Sequence, residues 1–168
     1  NFYGLSKLAL EEFAGFLHRE TGCDVIVFRY SRVHASGVRN VIFHFVRLLL
    51  KNEPLVLYGD PEKQLDFVHI DDVIDANVRA LDLSSGFEVL HVTAGEPVTL
   101  MELAKRVIRI CGKSDHPIVC DRDADVPIEP VLNSLDAAYS RRRLDMGDSV
   151  TLDAMIEETF YELCDSYE

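Results

Sequence analysis

Apolar residues recur at helical spacing from the first turn of the chain. Leu5, Leu8, Ala9, Phe13, Phe16 and Leu17 form one stripe at 3.6 residues per turn, which predicts a helix over residues 3–20 with Gly22 as its stop. The period then changes. Residues 24–30 form a short run rich in β-branched side chains without polar alternation, the pattern of a parallel strand covered on both faces. Residues 31–39 read as a loop, and residues 40–51 as a second helix, stopped by Pro54. Strands are predicted at 55–58 and 65–70, on either side of the turn Gly59-Asp60-Pro61-Glu62. The next helix, 71–83, starts on Asp71 and Asp72, whose charges suit the positive end of a helix dipole and which read as its caps. A strand at 87–93 follows. Thr99 and Glu102 have capping-box spacing for a helix ending near Gly112. A strand at 118–121, an acidic proline-containing connector at 121–130, and helices at 134–144 and 151–165 complete the chain. Helices alternating with apolar strands give an α/β class.

Composition narrows the picture. The 168 residues are 48% hydrophobic and 27% charged, enough for one domain with a core and unlike a disordered or collagen-like chain. No apolar run approaches the ~20 residues of a membrane helix, since even 41–50 carries His44 and Arg47, so no membrane partner is expected. Acidic residues number 29 against 17 basic, a net charge of -12. That field repels phosphate backbones, so no nucleic acid partner is expected, and the charge itself reads as an aid to solubility. The four cysteines, Cys23, Cys111, Cys120 and Cys164, show no CxxC pair and no metal-like spacing. Three lie in apolar or helical surroundings, and all four read as reduced, which implies a cytoplasmic protein. Arg141, Arg142 and Arg143 read as a solvated helix end. Phe43, Phe45, Leu48 and Leu49 read as a face for a partner or for a further part of the fold. Residue 1 is asparagine and a helix begins almost at once, which suggests the carboxy-terminal part of a longer protein.

The chemistry begins at Tyr3-Gly4-Leu5-Ser6-Lys7. Four residues apart on a helix, Tyr3 and Lys7 share a face. A lysine cation beside a tyrosine favours the phenolate, which can then pass a proton near neutral pH. Alone this spacing also fits an ordinary amphipathic helix. It is followed, however, by a strand ending Arg29-Tyr30, by Leu55-Val-Leu-Tyr-Gly59-Asp60, by Asp66-Phe67-Val68-His69-Ile70-Asp71-Asp72-Val73, and by Val92-Thr93-Ala94-Gly95 before a Leu103-Ala104 helix. In this order and spacing the chain resembles the extended short-chain dehydrogenases, and within them the carboxy-terminal portion of the NAD-dependent sugar-nucleotide epimerase/dehydratase family (UDP-glucose 4-epimerase-like). The resemblance covers residues 1 to about 112 well and the last third loosely.

The resemblance implies an incomplete Rossmann-type parallel sheet plus a smaller α/β substrate-binding domain. Residues 1–33 and 65–95 would be the remnant of the NAD(P)-binding domain, and 34–64 with 96–168 the substrate domain. Tyr3 would be the acid/base acting on a sugar hydroxyl, with Lys7 supporting its phenolate and holding the nicotinamide ribose. Tyr30 and Ser31 would lie beside the nicotinamide of NAD (or NADP). The substrate would be a nucleotide-sugar, and since helices bordering the cofactor domain often pair in the family, a homodimer is left open. His69, Asp71 and Asp72 can be drawn as a metal cluster, but the family gives them no such role and no metal is expected.

The departures matter as much. No two glycines lie closer than seven positions (Gly15 and Gly22), so the glycine-rich turn that cradles pyrophosphate is not in these residues. A chain of this length is therefore expected neither to bind NAD firmly nor to turn over alone. The family usually reads R-Y-F-N-V-Y-G-P where this chain has Arg29-Tyr30-Ser31-Arg32-Val33-His34-Ala35-Ser36, so a substrate-holding Asn is replaced by Arg32. The family's diphosphate-contacting Arg before D-F-V-H is Leu65 here, a lost bidentate donor. Arg32, and less so Lys63 or Arg122, are the candidate replacements. These departures also fit a rival reading, a non-catalytic module that binds a ligand or partner on the same scaffold.

Overall fold

A computed structural model describes residues 2–84, 86–124 and 137–165. Its elements in chain order are α1 (Phe2–Thr21), β1 (Val25–Tyr30), β2 (Arg32–His34), α2 (Val41–Leu50), β3 (Leu55–Tyr58), β4 (Gln64–Leu65), β5 (Phe67–His69), α3 (Ile70–Ala80), β6 (Phe87–Val92), β7 (Val98–Thr99), α4 (Leu100–Ile110), β8 (Ile118–Asp121), α5 (Ala137–Arg143) and α6 (Leu152–Asp165). Beyond residue 124 the expected acidic connector, and residues 134–136 of the expected helix, lie outside the described residues.

Strands pair two by two. β1 runs parallel to β6 from Val25↔Phe87 to Tyr30↔Val92. β2 is parallel to β5, and β3 to β8. β4 and β7 form a short antiparallel pair. Parallel neighbours need a long crossover, and the helices between them provide it. At the start of β1 the Asp24 carboxylate accepts from Gly86 N–H at 2.7 Å, and Gly86 itself needs a glycine's positive φ of 68°.

Two apolar clusters form the core. The larger packs α2, α4 and α6 over β3, with Ile42, Phe45, Leu49, Leu103, Val107, Met155 and Ile156 inaccessible or nearly so. The smaller joins Val68, Ala76, Leu90 and Val92 with Leu144, and Ile26 and Phe28 lean on it.

Several expectations are corrected. The 31–39 segment contains β2, held by β5, and is not all loop. The 65–70 run is two strands broken at Asp66, because β4 and β5 pair with different partners. β1 is parallel as expected but only half-covered, and Arg29 and Tyr30 are exposed. Phe45, Leu48 and Leu49 are core rather than a free face, with Phe43 packed against them. Arg143 is no solvated helix end: its guanidinium pairs with Glu88 at 3.1 Å, and Arg141 donates to Ser149 Oγ. All four cysteines are free thiols, but Cys23 and Cys120 are exposed, and only Cys111 and Cys164 are partly covered. Burial pushes the Cys111 thiol up to about 11.

Candidate functional site

α1 and β1 run in opposite directions, so the start of the helix comes to the carboxyl end of the strand. The pairing is pinned by Arg29, whose Nε donates to Glu11 Oε1 at 2.9 Å while a second nitrogen meets Oε2, a two-pronged ion pair. That contact holds the Glu11 carboxyl below its usual range and Arg29 above its own. Gly15 is the buried residue of α1, and a Cβ there would stand 3.6 Å from the Phe87 ring. Tyr3 lies two turns before Glu11, about 12 Å further along the axis at 1.5 Å per residue. It therefore projects past the end of β1, on the side where open parallel sheets hold ligands.

Tyr3 is 71% exposed. Lys7 Nζ stands 5.4 Å from the centre of its ring, a cation–π distance, so the two share a helix face as their spacing requires. Ser6 Oγ donates to Tyr3 O at 2.7 Å and tightens the same turn. At the end of β1 the Tyr30 hydroxyl accepts from Asn77 Nδ2 of α3 at 2.8 Å. Ser31 N–H donates to Val92 O at 3.1 Å, which turns the Ser31 side chain inward. There its hydroxyl is buried with no hydrogen-bond partner among the described residues. Arg32 begins β2, and its N–H donates to Asp66 O at 3.1 Å.

Asp66, buried beside this strand end, was not expected as a site residue. Burial pushes its carboxyl above the usual range. The Thr93 hydroxyl, the Phe67 amide and the Arg32 charge draw it back, although neither Thr93 nor Phe67 reaches strict hydrogen-bond geometry. Buried polar groups are normally hydrogen-bonded, so Ser31 and Asp66 stand out among the described residues. The sequence signal was present in Asp66 preceding an apolar run, but its burial depends on the long-range β2–β5 pairing.

The other candidates fall elsewhere. Lys63 closes the turn after β3, with its N–H on Asp60 O and its carbonyl accepting from Leu100 N–H. Arg122 is exposed one residue past β8, where Asp121 O accepts from Gly59 N–H at 2.8 Å. Both flank one turn, whereas Arg32 stands with Tyr30 and Ser31. Leu65 is 5% exposed and belongs to the larger core cluster. Asp71 and Asp72 do not cap α3. His69 does, accepting from Asp71 N–H at 3.2 Å, while the buried Asp72 carboxylate accepts from Val150 N–H at 3.2 Å. A cavity of about 480 Å³ lined by Asp24, Ile26, Phe28, Asn77 and Leu81 extends to the amino end of β1, away from Tyr3.

Comparison with known proteins bears on the family and the fold. The family model for the NAD dependent epimerase/dehydratase family matches residues 1–93. A provisionally named UDP-glucose 4-epimerase of Methanocaldococcus jannaschii is 33% identical over 106 residues, 60% of this chain and 34% of that protein. The structure of a UDP-glucose 4-epimerase from Thermotoga maritima with UDP-glucose superposes with a TM-score of 0.82 at 26% identity, covering 99% of this chain and 54% of that one. A UDP-glucuronic acid 4-epimerase from Bacillus cereus, in complex with UDP-glucuronic acid and NAD, shares the fold with a TM-score of 0.82 at 24% identity, over 98% of this chain and 53% of its own. The chain thus spans about a third of the curated relative and about half of the solved structures.

Proposed function

The chain belongs to the NAD dependent epimerase/dehydratase family, and from that premise we propose that it carries the acid/base part of an active site that oxidises a carbon of a nucleoside-diphosphate sugar. Tyr3 Oη takes the proton of the sugar hydroxyl as the carbon gives up its hydride, and returns it when the carbonyl is reduced again or passed on. Lys7, over the Tyr3 ring, supports Tyr3 in that proton transfer and holds the nicotinamide ribose. Tyr30 and Ser31 border the nicotinamide, and the unpartnered Ser31 hydroxyl is a polar atom such a ring or its ribose can satisfy. NAD, when bound, supplies the two-electron acceptor that the oxidation requires. Arg32 takes the place of the family's substrate-holding Asn, and Lys63 and Arg122 offer further positive charge toward the diphosphate. Residues 1–33 and 65–95 form the cofactor side and 34–64 with 96–168 the substrate side. Firm cofactor binding needs a pyrophosphate-cradling turn, which these 168 residues lack, so turnover is proposed for a protein in which such a turn completes the fold. A cytoplasmic homodimer is the proposed setting.

The observation that carries this reading is the Tyr3–Lys7 pair, 5.4 Å apart at the carboxyl end of the parallel β1–β6 pair. In the intact protein, Tyr3→Phe lowers kcat by about 10²–10⁴-fold while NAD still stabilises the fold by about 2.7 kcal/mol at a hundredfold excess over its Kd. Unchanged turnover in Tyr3→Phe overturns the assignment. Stabilisation by a nucleotide sugar or a protein but not by NAD would make the chain a non-catalytic binding module.

A further inference from the structure

Two helix starts converge on one carboxylate. His34 of β2 is 1% exposed and His69 at the end of β5 is 7% exposed, with ring centres 6.0 Å apart. Their Nε2 atoms both face Glu158 Oε2 of α6, at 3.4 and 3.1 Å. Each ring's other nitrogen serves a helix. His69 Nδ1 accepts from Asp71 N–H at the start of α3. Asn40, the N-cap of α2, accepts Ile42 N–H and Phe43 N–H on Oδ1 at 3.0 and 3.2 Å and turns Nδ2 toward His34 Nδ1 at 3.0 Å.

A backbone N–H can only donate, so His69 Nδ1 is an acceptor. Two backbone donors fix Asn40 Oδ1, so its NH2 group faces His34, and His34 Nδ1 is an acceptor too. A neutral imidazole carries a single N–H, so in both rings it is on Nε2 and points toward Glu158. Thr159 agrees: its hydroxyl donates to Met155 O at 3.0 Å, leaving its oxygen to face His34 Nε2 at 3.4 Å. The network is complete only with a hydrogen on Nε2 and none on Nδ1 of each ring.

We propose that His34, held between Asn40 and Glu158, forms an acid-sensitive latch, in which a proton added at His34 Nδ1 sets donor against donor and releases the start of α2. The groups around it act unequally. On α6, Glu158 and Glu162 draw a proton to His34. Burial, the largest influence, and the neighbouring His69 oppose it and hold His34 below the ordinary histidine range. On α3, Asp71 Oδ2 lies 3.4 Å from His69 Nδ1, and Asp72 is close by. From α2, Asn40 offers His34 only its NH2 group, so the α2 arm has no acidic replacement and is the one that opens. The sign follows. An unfolded histidine takes its proton near pH 6.5, the folded His34 only below that. The latch's stability is therefore present above about pH 6.5 and is lost as pH falls toward the folded value.

Imidazole nitrogen resonances and amide hydrogen exchange of the intact protein, followed with pH, test this. Neutral His34 shows its hydrogen on Nε2. Protection at Ile42 and Phe43, corrected for intrinsic exchange, drops at least tenfold as His34 takes a proton. Asn40→Asp keeps a capping oxygen and turns a carboxylate oxygen to His34, so His34 titrates at higher pH and protection persists through its titration. A hydrogen on Nδ1 of neutral His34, or constant Ile42 and Phe43 protection through the wild-type titration, overturns the latch. Should Asn40→Asp fail to fold, the wild-type tautomer and exchange decide alone.

Discussion

Asp66 and Asp72 are both buried and both pushed up by burial, yet they do different things. Asp72 accepts from Val150 N–H and so holds the segment leading into α6. Asp66 has no such donor in strict geometry. A carboxyl whose folded value lies above its unfolded one costs stability as pH rises above the unfolded value, because the fold must then bury a charge. Asp66→Asn should therefore raise the urea midpoint at pH 7, with the gain shrinking as pH falls toward 4. A lower midpoint at pH 7 would show that the carboxylate has a partner the fold depends on. Asp72→Ala should instead cost about 1–3 kcal/mol, since it strands the Val150 N–H, and an unchanged denaturation curve would contradict that role.

Among the elements, α4 shows what local sequence can announce. Thr99 Oγ1 accepts from Glu102 N–H at 3.1 Å and Glu102 Oε2 accepts from Thr99 N–H at 2.8 Å, the reciprocal pair that the Thr-x-x-Glu spacing predicts. Thr99→Ala should cost about 1 kcal/mol in chemical denaturation, and no loss would mean that packing alone starts the helix. The start of α3 was not legible in the same way. Two aspartates looked like its caps, while the actual cap is His69, whose Nε2 faces Glu158, 89 positions away. β2 and β7, three and two residues long, have no period to detect and exist because β5 and β4 lie beside them. The apolar stripe of α2 was visible, but not that α4 and α6 would cover it. Phe45→Ala in that covered face should cost about 3–5 kcal/mol. At the site, the Tyr3–Lys7 spacing is local and was read directly. The inward turn of Ser31 and the Tyr30–Asn77 bond, 47 positions apart, come from the fold.

The whole molecule is unevenly covered. The α2–α4–α6 side has a dense core, while α1 exposes Phe2, Leu5, Leu8, Leu10, Phe13 and Phe16, and α3 exposes Ile74 and Val78, followed by an exposed Leu81 at its C-cap. An apolar helix surface this wide associates in water. Sedimentation of the 168-residue chain should show self-association that rises with concentration and is reduced by Phe13→Glu with Phe16→Glu. A monomer at every concentration would contradict it.

The same parallel pairing has a consequence for how the chain is made. Asp24 reaches its β6-side partner Gly86 only across 62 positions. At about 5–20 residues per second of synthesis, β1 leaves the ribosome roughly 3–12 s before the strand that completes it. During that interval β1 offers an unpaired strand edge, and the β1–β6 register closes only after β6 has been synthesised.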